Sequence, residues 1–226
     1  MTEQEARCAI VESCRAMNGL GINQGTSGNI SVRLGERMLI SPSAIPYDQM
    51  QPEQVAVMPI RGAYGTWEGP VPPSTEWRMH LDIMRDRPAF GAIVHAHSTF
   101  CTALAVARRS IPPCHYMVAA FGGNDVRCSE YATYGTKELS EHALRALAGR
   151  NACLLANHGM IVCGPELARA MWLAVELETL ARQYWHSLLI GGPVLLSDAQ
   201  IAETAAKFAT GYGAPAGADQ IPAYQA

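Results

Sequence analysis

The run Gly91-Ala92-Ile93-Val94-His95-Ala96-His97 decides how the rest of the chain is read. It begins just past Pro88 and carries Ile and Val, the marks of a short buried strand. Side chains alternate along a strand, so His95 and His97 share one face and only Ala96 turns away. At about 3.3 Å per residue the two imidazoles stand roughly 6–7 Å apart along the chain and can converge on one cation. They can equally be two histidines satisfied by ordinary hydrogen bonds. A third ligand would separate the two readings.

Working outward, Pro88 ends a helix expected over residues 76–87, with Ser74 and Thr75 as N-cap residues and Trp77, Leu81 and Met84 on its apolar side. Before it, Gly62, Gly65, Gly69, Pro70, Pro72 and Pro73 mark a long loop. Val55 to Met58, Met38 to Ile40 and Ile30 to Arg33 read as strands, the last two joined by a hairpin at Leu34-Gly35-Glu36 and the middle one broken by Ser41-Pro42-Ser43. A helix is expected from Thr2 to Asn18, stopped by Gly19 and Gly21. Downstream, a small-residue helix spans 99–107 and another helix 136–147, while 115–123 has no clean period. Cys153-Leu154-Leu155 and Met160-Ile161-Val162 read as two strands around Asn157-His158-Gly159. Helices follow at 166–189 and 198–208. From Thr210 onward the chain is rich in Gly, Ala and Pro and is expected to be loose unless it docks. No repeat and no internal linker appears, so one domain is expected.

At 226 residues, with 49% hydrophobic and 16% charged side chains, the chain is long enough and apolar enough for a buried core. A net charge of -3 and the lack of a Lys/Arg cluster argue against nucleic acid or an anionic membrane as partner. The polar start has no signal-peptide pattern, and no apolar run is long enough to span a bilayer. The seven cysteines form no Cys-x-x-Cys pair, and several sit inside apolar runs. Buried reduced thiols account for them, which points to a cytoplasmic location.

His158 is the candidate third ligand. It stands between two apolar strands, in a turn that would project it from the end of the sheet. Three imidazoles are the set found in open catalytic zinc sites, and neutral ligands leave the metal's charge available to an oxyanion. Two further stretches could cradle an anion. Gly25-Thr26-Ser27-Gly28-Asn29 can aim backbone N–H groups inward, and Ser74-Thr75 offers hydroxyls at a helix start. Each also has a plainer reading, a tight turn and a helix cap. Glu76, in the first helical turn, either complements the helix dipole or serves as a general base and fourth metal ligand.

In order and wording these pieces resemble the class II aldolase/adducin-head family, most closely its L-fuculose-1-phosphate aldolases. The resemblance rests on residues 23–29, Ser41-Pro42-Ser43, Ser74-Thr75-Glu76-Trp77, His95-Ala96-His97 and Asn157-His158-Gly159. To these His115-Tyr116-Met117 and residues 131–136 add an aldolase-specific likeness. It implies an α/β fold of three layers, α/β/α, around a mostly antiparallel mixed sheet, with a domain over 1–212 and a flexible tail over 213–226. It further implies a zinc ion, or another divalent metal, on His95, His97 and His158, with Glu76 as exchangeable ligand and acid/base. Gly28, Asn29, Ser43, Ala44, Ser74 and Thr75 would hold the substrate phosphate, with Ala44 where those aldolases carry glycine. Tyr116 would donate a proton to the aldehyde half or contact it, and Tyr134 replaces a phenylalanine that lines the pocket. The catalytic tyrosine contributed across a subunit boundary best matches Tyr212, and the implied assembly is a cytoplasmic homotetramer with sites between subunits.

The implied activity is metal-dependent cleavage of a ketose 1-phosphate to dihydroxyacetone phosphate and an aldehyde. Its substrate would be L-fuculose 1-phosphate or a 5-deoxy- or 5-methylthio-ribulose 1-phosphate. Within the family, an L-ribulose-5-phosphate 4-epimerase or a sugar-phosphate dehydratase are the rivals, and related epimerases carry aspartate where this chain has Glu76. Adducin-type scaffold heads are expected to lack the metal histidines.

Overall fold

A computed structural model describes residues 1–210. The expected tail and Tyr212 lie outside the described residues.

The chain runs α1 (Glu3–Gly19), β1 (Asn29–Leu34), β2 (Arg37–Ile40), β3 (Ala56–Pro59), α2 (Trp77–Asp86), β4 (Ala92–Ala96), α3 (Thr99–Val106), β5 (Arg127–Cys128), α4 (Lys137–Ala146), β6 (Ala152–Leu155), β7 (Gly159–Gly164), α5 (Leu167–Leu189) and α6 (Asp198–Ala209). The strands form one seven-stranded sheet in the order β3-β2-β1-β4-β7-β6-β5. Every pairing is antiparallel except β5 with β6, so the sheet is mixed and mostly antiparallel, as expected. β5 has two residues, too few to show a period in the sequence. The aperiodic stretch 115–123 holds a short 3-10 helix, Tyr116–Phe121.

Strand alternation divides the core in two. Ile30, Val32, Val94, Leu154 and Val162 face the layer of α1, α3 and α5, where Ile10, Leu104, Leu173 and Leu177 meet them. Ile93, Cys153, Ile161 and Cys163 face the layer of α2 and α4, against Leu81, Met84, Leu139 and Ala143. The long α5 shows why it is a helix: its buried residues include Leu167, Ala170, Leu173, Ala174, Leu177 and Ala181, a 3–4 spacing that makes one apolar stripe. Local signals set several ends. Thr2 and Glu5 form a capping box at α1, and Thr136 caps α4. Gly35, at φ +60°, lets β1 turn directly into β2.

The helix after the glycine- and proline-rich loop starts later than expected. Its N-cap is Glu76, not Ser74 or Thr75, and the Glu76 side chain makes no capping bond. Ser74 instead accepts from the Glu76 amide at 3.3 Å through its hydroxyl, in a turn that precedes the helix. All seven cysteines are free and four are buried. No helix among the described residues is long and apolar enough to cross a membrane.

Candidate active site

Antiparallel pairing of β4 with β1 and β7 brings three distant segments to one end of the sheet. His95 pairs with Asn29 on one side and with Ile161 on the other. His97 follows one residue past β4, and His158 occupies the turn between β6 and β7. That turn is tight enough to hold Asn157 at φ +54°, a conformation asparagine tolerates better than most residues. Next to it, a Cβ on Gly159 would lie 2.6 Å from the Ala96 carbonyl oxygen and 2.8 Å from the His97 ring, so only glycine lets the turn close on the histidines.

The three imidazoles meet as a propeller, with ring centroids 4.8–4.9 Å apart and planes inclined at 67–79°. Glu76 completes the group, and one donor atom from each of the four residues lies within 4.8 Å of the others. Its Oε2 is 3.0 Å from His95 Nε2, its Oε1 is 3.3 Å from His158 Nε2, and the Nε2 atoms of His95 and His97 are 3.1 Å apart. A tetrahedral zinc ion with Zn–N near 2.1 Å has ligand atoms about 3.4 Å from each other, so these spacings fit such an ion with little movement. Two further features agree. His95 Nδ1 donates to the Met160 carbonyl at 2.8 Å, which leaves the Nε2 lone pair directed at the centre. Glu76 Oε1 is buried and makes no hydrogen bond. The expected set of Glu76, His95, His97 and His158 is thus brought together at one point.

The electrostatics suit a cation as well. Burial opposes charge on Glu76, but His95, His158 and the Asn29 amide more than offset it, so the carboxyl stays well below its ordinary range. Burial also opposes charge on His95, and the Glu76 carboxylate outweighs it and raises that imidazole. His97 and His158 are pushed down to about 4 by burial and by His95, which keeps their lone pairs free at neutral pH.

Glu76, His97 and His158 form the floor of a cavity of about 390 Å³, with His95 buried behind them. All seven expected substrate residues, Gly28, Asn29, Ser43, Ala44, Ser74, Thr75 and Tyr134, line it. The 41–44 and 72–75 segments are zipped together, Ser43 N–H to the Pro72 carbonyl at 3.1 Å and Ser74 N–H to the Ser41 carbonyl at 3.0 Å. No lysine or arginine lines the cavity among the described residues, so an anion there would meet hydroxyls and backbone amides. Tyr116 does not line it. That side chain is 43% exposed and stacks on His115, on the 3-10 helix.

Sequence reading passed over two residues that hold the floor. Asn23 accepts from the His97 amide at 3.1 Å and donates to Tyr47 Oη at 3.2 Å, while Tyr47 donates to the Gly28 carbonyl at 2.6 Å. The glycine-rich loop is thereby tied to the end of β4. Its signal was present, since an asparagine opening a glycine-rich turn commonly bonds local backbone. The second residue, His80, sits wholly buried on α2.

The family model for the class II aldolase and adducin N-terminal domain matches residues 8–185. The chain is 48% identical over 207 residues to a 5-methylthioribulose-1-phosphate/5-deoxyribulose-1-phosphate aldolase of Rhodospirillum rubrum, covering 92% of each protein. It is 47% identical over 205 residues to an L-fuculose phosphate aldolase of Escherichia coli K12, covering 90% of this chain and 94% of that one. A solved L-fuculose 1-phosphate aldolase superposes with a TM-score of 0.87 at 38% identity, over 91% of this chain and 96% of that chain.

Proposed function

The chain belongs to the class II aldolase and adducin N-terminal domain family, and on that footing we propose that it is a lyase that reversibly cleaves a ketose 1-phosphate to dihydroxyacetone phosphate and an aldehyde. The substrate is L-fuculose 1-phosphate or a 5-deoxy- or 5-methylthio-ribulose 1-phosphate, the compounds for which its relatives are named. The observation that carries this reading is the convergence of Glu76, His95, His97 and His158 under a cavity lined by hydroxyls and glycine-rich backbone.

Each residue then has a job that the reaction requires. Breaking the C3–C4 bond leaves an electron pair on the dihydroxyacetone phosphate half, while the C4 hydroxyl gives up its proton and becomes the aldehyde. His95, His97 and His158 hold a zinc ion, with Glu76 as exchangeable fourth ligand; when bound, that ion supplies a Lewis acid for the developing negative charge. In the reverse direction the ionised Glu76 removes a proton from C3, and in cleavage it returns to C3 a proton first taken up from solvent. Gly28, Asn29, Ser43, Ala44, Ser74 and Thr75 hold the phosphate through neutral donors and orient the bond to be broken. Tyr134 contacts the aldehyde half.

The C4 proton passes to a tyrosine. Tyr116 is exposed and stands outside the cavity of its own chain, which suits a residue reaching into the site of an adjacent copy. Tyr212, the best match to the catalytic tyrosine contributed across a subunit boundary, is the second candidate. A homotetramer with sites between subunits fits this division, and Ile190 (87% exposed) and Val194 (93% exposed) supply apolar surface for its contacts. One domain over 1–212 and a cytoplasmic location complete the reading.

The test is a panel of ketose 1-phosphates assayed for release of dihydroxyacetone phosphate, with metal analysis of the purified chain. About one zinc per chain is expected, with product from at least one member, abolished by chelator and restored by zinc. Failure of every member to yield dihydroxyacetone phosphate would refute the aldolase reading in favour of an epimerase or a dehydratase.

A further inference from the structure

His80 lies one turn beyond Glu76 on α2, in the helix's buried stripe with Ile83 and Met84. An imidazole there has no exposure at all, yet both of its nitrogens are engaged. Nδ1 is 2.7 Å from Ser31 Oγ, and Nε2 is 2.6 Å from Asn29 Oδ1. Asn29 in turn donates through Nδ2 to Glu76 Oε2 at 3.0 Å. Ser31 and Asn29 belong to β1, where they pair with Ile93 and His95. The chain of bonds therefore stitches α2 to the sheet directly behind the histidine cluster.

The chemistry of the four groups fixes where the protons sit. An ionised carboxylate only accepts, so Asn29 must present its NH2 group to Glu76 and its carbonyl oxygen to His80. That oxygen also only accepts, so the proton of His80 is on Nε2. Nδ1 is then a bare lone pair, and the Ser31 hydroxyl donates to it. Every bond points the same way, toward Glu76, an arrangement in which each bond polarises the next. Burial keeps the imidazole neutral by pushing it down to about 3.

We propose that His80 is a positioning residue for Glu76: Ser31 holds it as the Nε2–H tautomer, and it locks the Asn29 amide with its NH2 group on the Glu76 carboxylate. Without the His80 donor, the Asn29 amide oxygen loses its buried partner. The amide is then left with a buried unpaired oxygen and is oriented only by its bond to the carboxylate it supports. Asn29 also lines the cavity, so the same lock fixes how that side chain meets the substrate. This assignment rests on the acid/base role given to Glu76 above.

The test uses the full-length chain and three variants. Long-range nitrogen NMR of the histidine rings should show His80 protonated at Nε2 and bare at Nδ1 across neutral pH. His80→Leu should lower kcat and weaken zinc, measured by competition with a chelator, each by about 10–100-fold, with a smaller rise in KM through Asn29. His80→Gln keeps an N–H at the Nε2 position and should recover most of both losses. Ser31→Ala should give a smaller loss of the same kind. An Nδ1–H or doubly protonated ring overturns the proposal. So does a folded His80→Leu with unchanged kcat and zinc affinity, or a His80→Gln no better than His80→Leu. If His80→Leu fails to fold, the NMR tautomer together with His80→Gln and Ser31→Ala decides. If wild type cleaves no ketose 1-phosphate, the aldolase reading fails by itself, and the tautomer and zinc measurements still judge the His80 lock.

Discussion

Behind the floor of the cavity His95 is wholly buried and both ring nitrogens are engaged, one by the Met160 carbonyl and one by Glu76. At the rim Tyr134 is 64% exposed, and its hydroxyl has no hydrogen-bond partner among the described residues. Tyr134 lines the cavity and His95 lies buried behind its floor, the one open to solvent and the other held at both ring nitrogens. The floor is carried by the ends of strands, the turn between β6 and β7, and a helix start. The rim is carried by loops, where a side chain can change without disturbing the core. On the proposed reading, bond breaking falls to the enclosed part and substrate choice to the exposed part.

The sharpest way to break that division is to remove a ligand from the floor while sparing the core. His97 serves best, because it lies one residue past β4 and belongs to neither apolar cluster. His97→Ala should bring zinc well below one per chain and cut activity about a thousandfold, since a Lewis acid contributes several kcal/mol and each 1.36 kcal/mol is tenfold. Circular dichroism and melting should stay close to wild type. A variant that keeps its activity would mean that the cluster is not where the reaction occurs.

The rim should answer differently. Tyr134→Phe removes one hydroxyl from an exposed side chain, so stability should move by no more than about 0.5 kcal/mol. What should change is preference. The ratio of kcat/KM between a ketose 1-phosphate with a polar aldehyde half and one with a methyl or methylthio end should shift by about tenfold, the scale of a single contact in a pocket. Zinc content should not respond. An unchanged ratio would take Tyr134 out of the specificity surface and leave Tyr131, its neighbour on the same lining, as the residue to vary next.

The same contrast governs how much could be read from the chain. Floor residues sit in short motifs tied to periodic elements, so strand alternation alone placed His95 and His97 on one face. That His158 joins them depends on β4 pairing with β7 across more than sixty residues of sequence, and no local pattern carries that information. His80 was invisible for a related reason. It occupies a stripe position of an amphipathic helix, where an isolated histidine reads as an ordinary member of the buried face. Only the β1 register puts Ser31 and Asn29 against it. The start of α2 was misplaced because Ser74 and Thr75 have the chemistry of N-caps, whereas the Glu76 carboxylate is drawn to the histidines and the cap position falls to its backbone. Tyr116 was legible as a motif but not as a location.

The smallest effect lies between floor and rim, in the zipped loop that lines the cavity at Ser43 and Ala44. Ala44 adopts φ +58°, the left-handed region, which a side chain makes unfavourable by about 1–2 kcal/mol. Glycine removes that strain but frees the unfolded chain, which costs about 0.4–1 kcal/mol in the opposite sense. The balance favours Ala44→Gly by roughly 0.5–1 kcal/mol, an increase in Tm of about 1–3 °C for a chain of this size. Because the backbone already has the shape glycine prefers, kcat and KM should remain within about twofold. A lower Tm would show that the Ala44 methyl packs more favourably than its backbone is strained. A large rise in KM would show that the methyl itself touches the bound phosphate end.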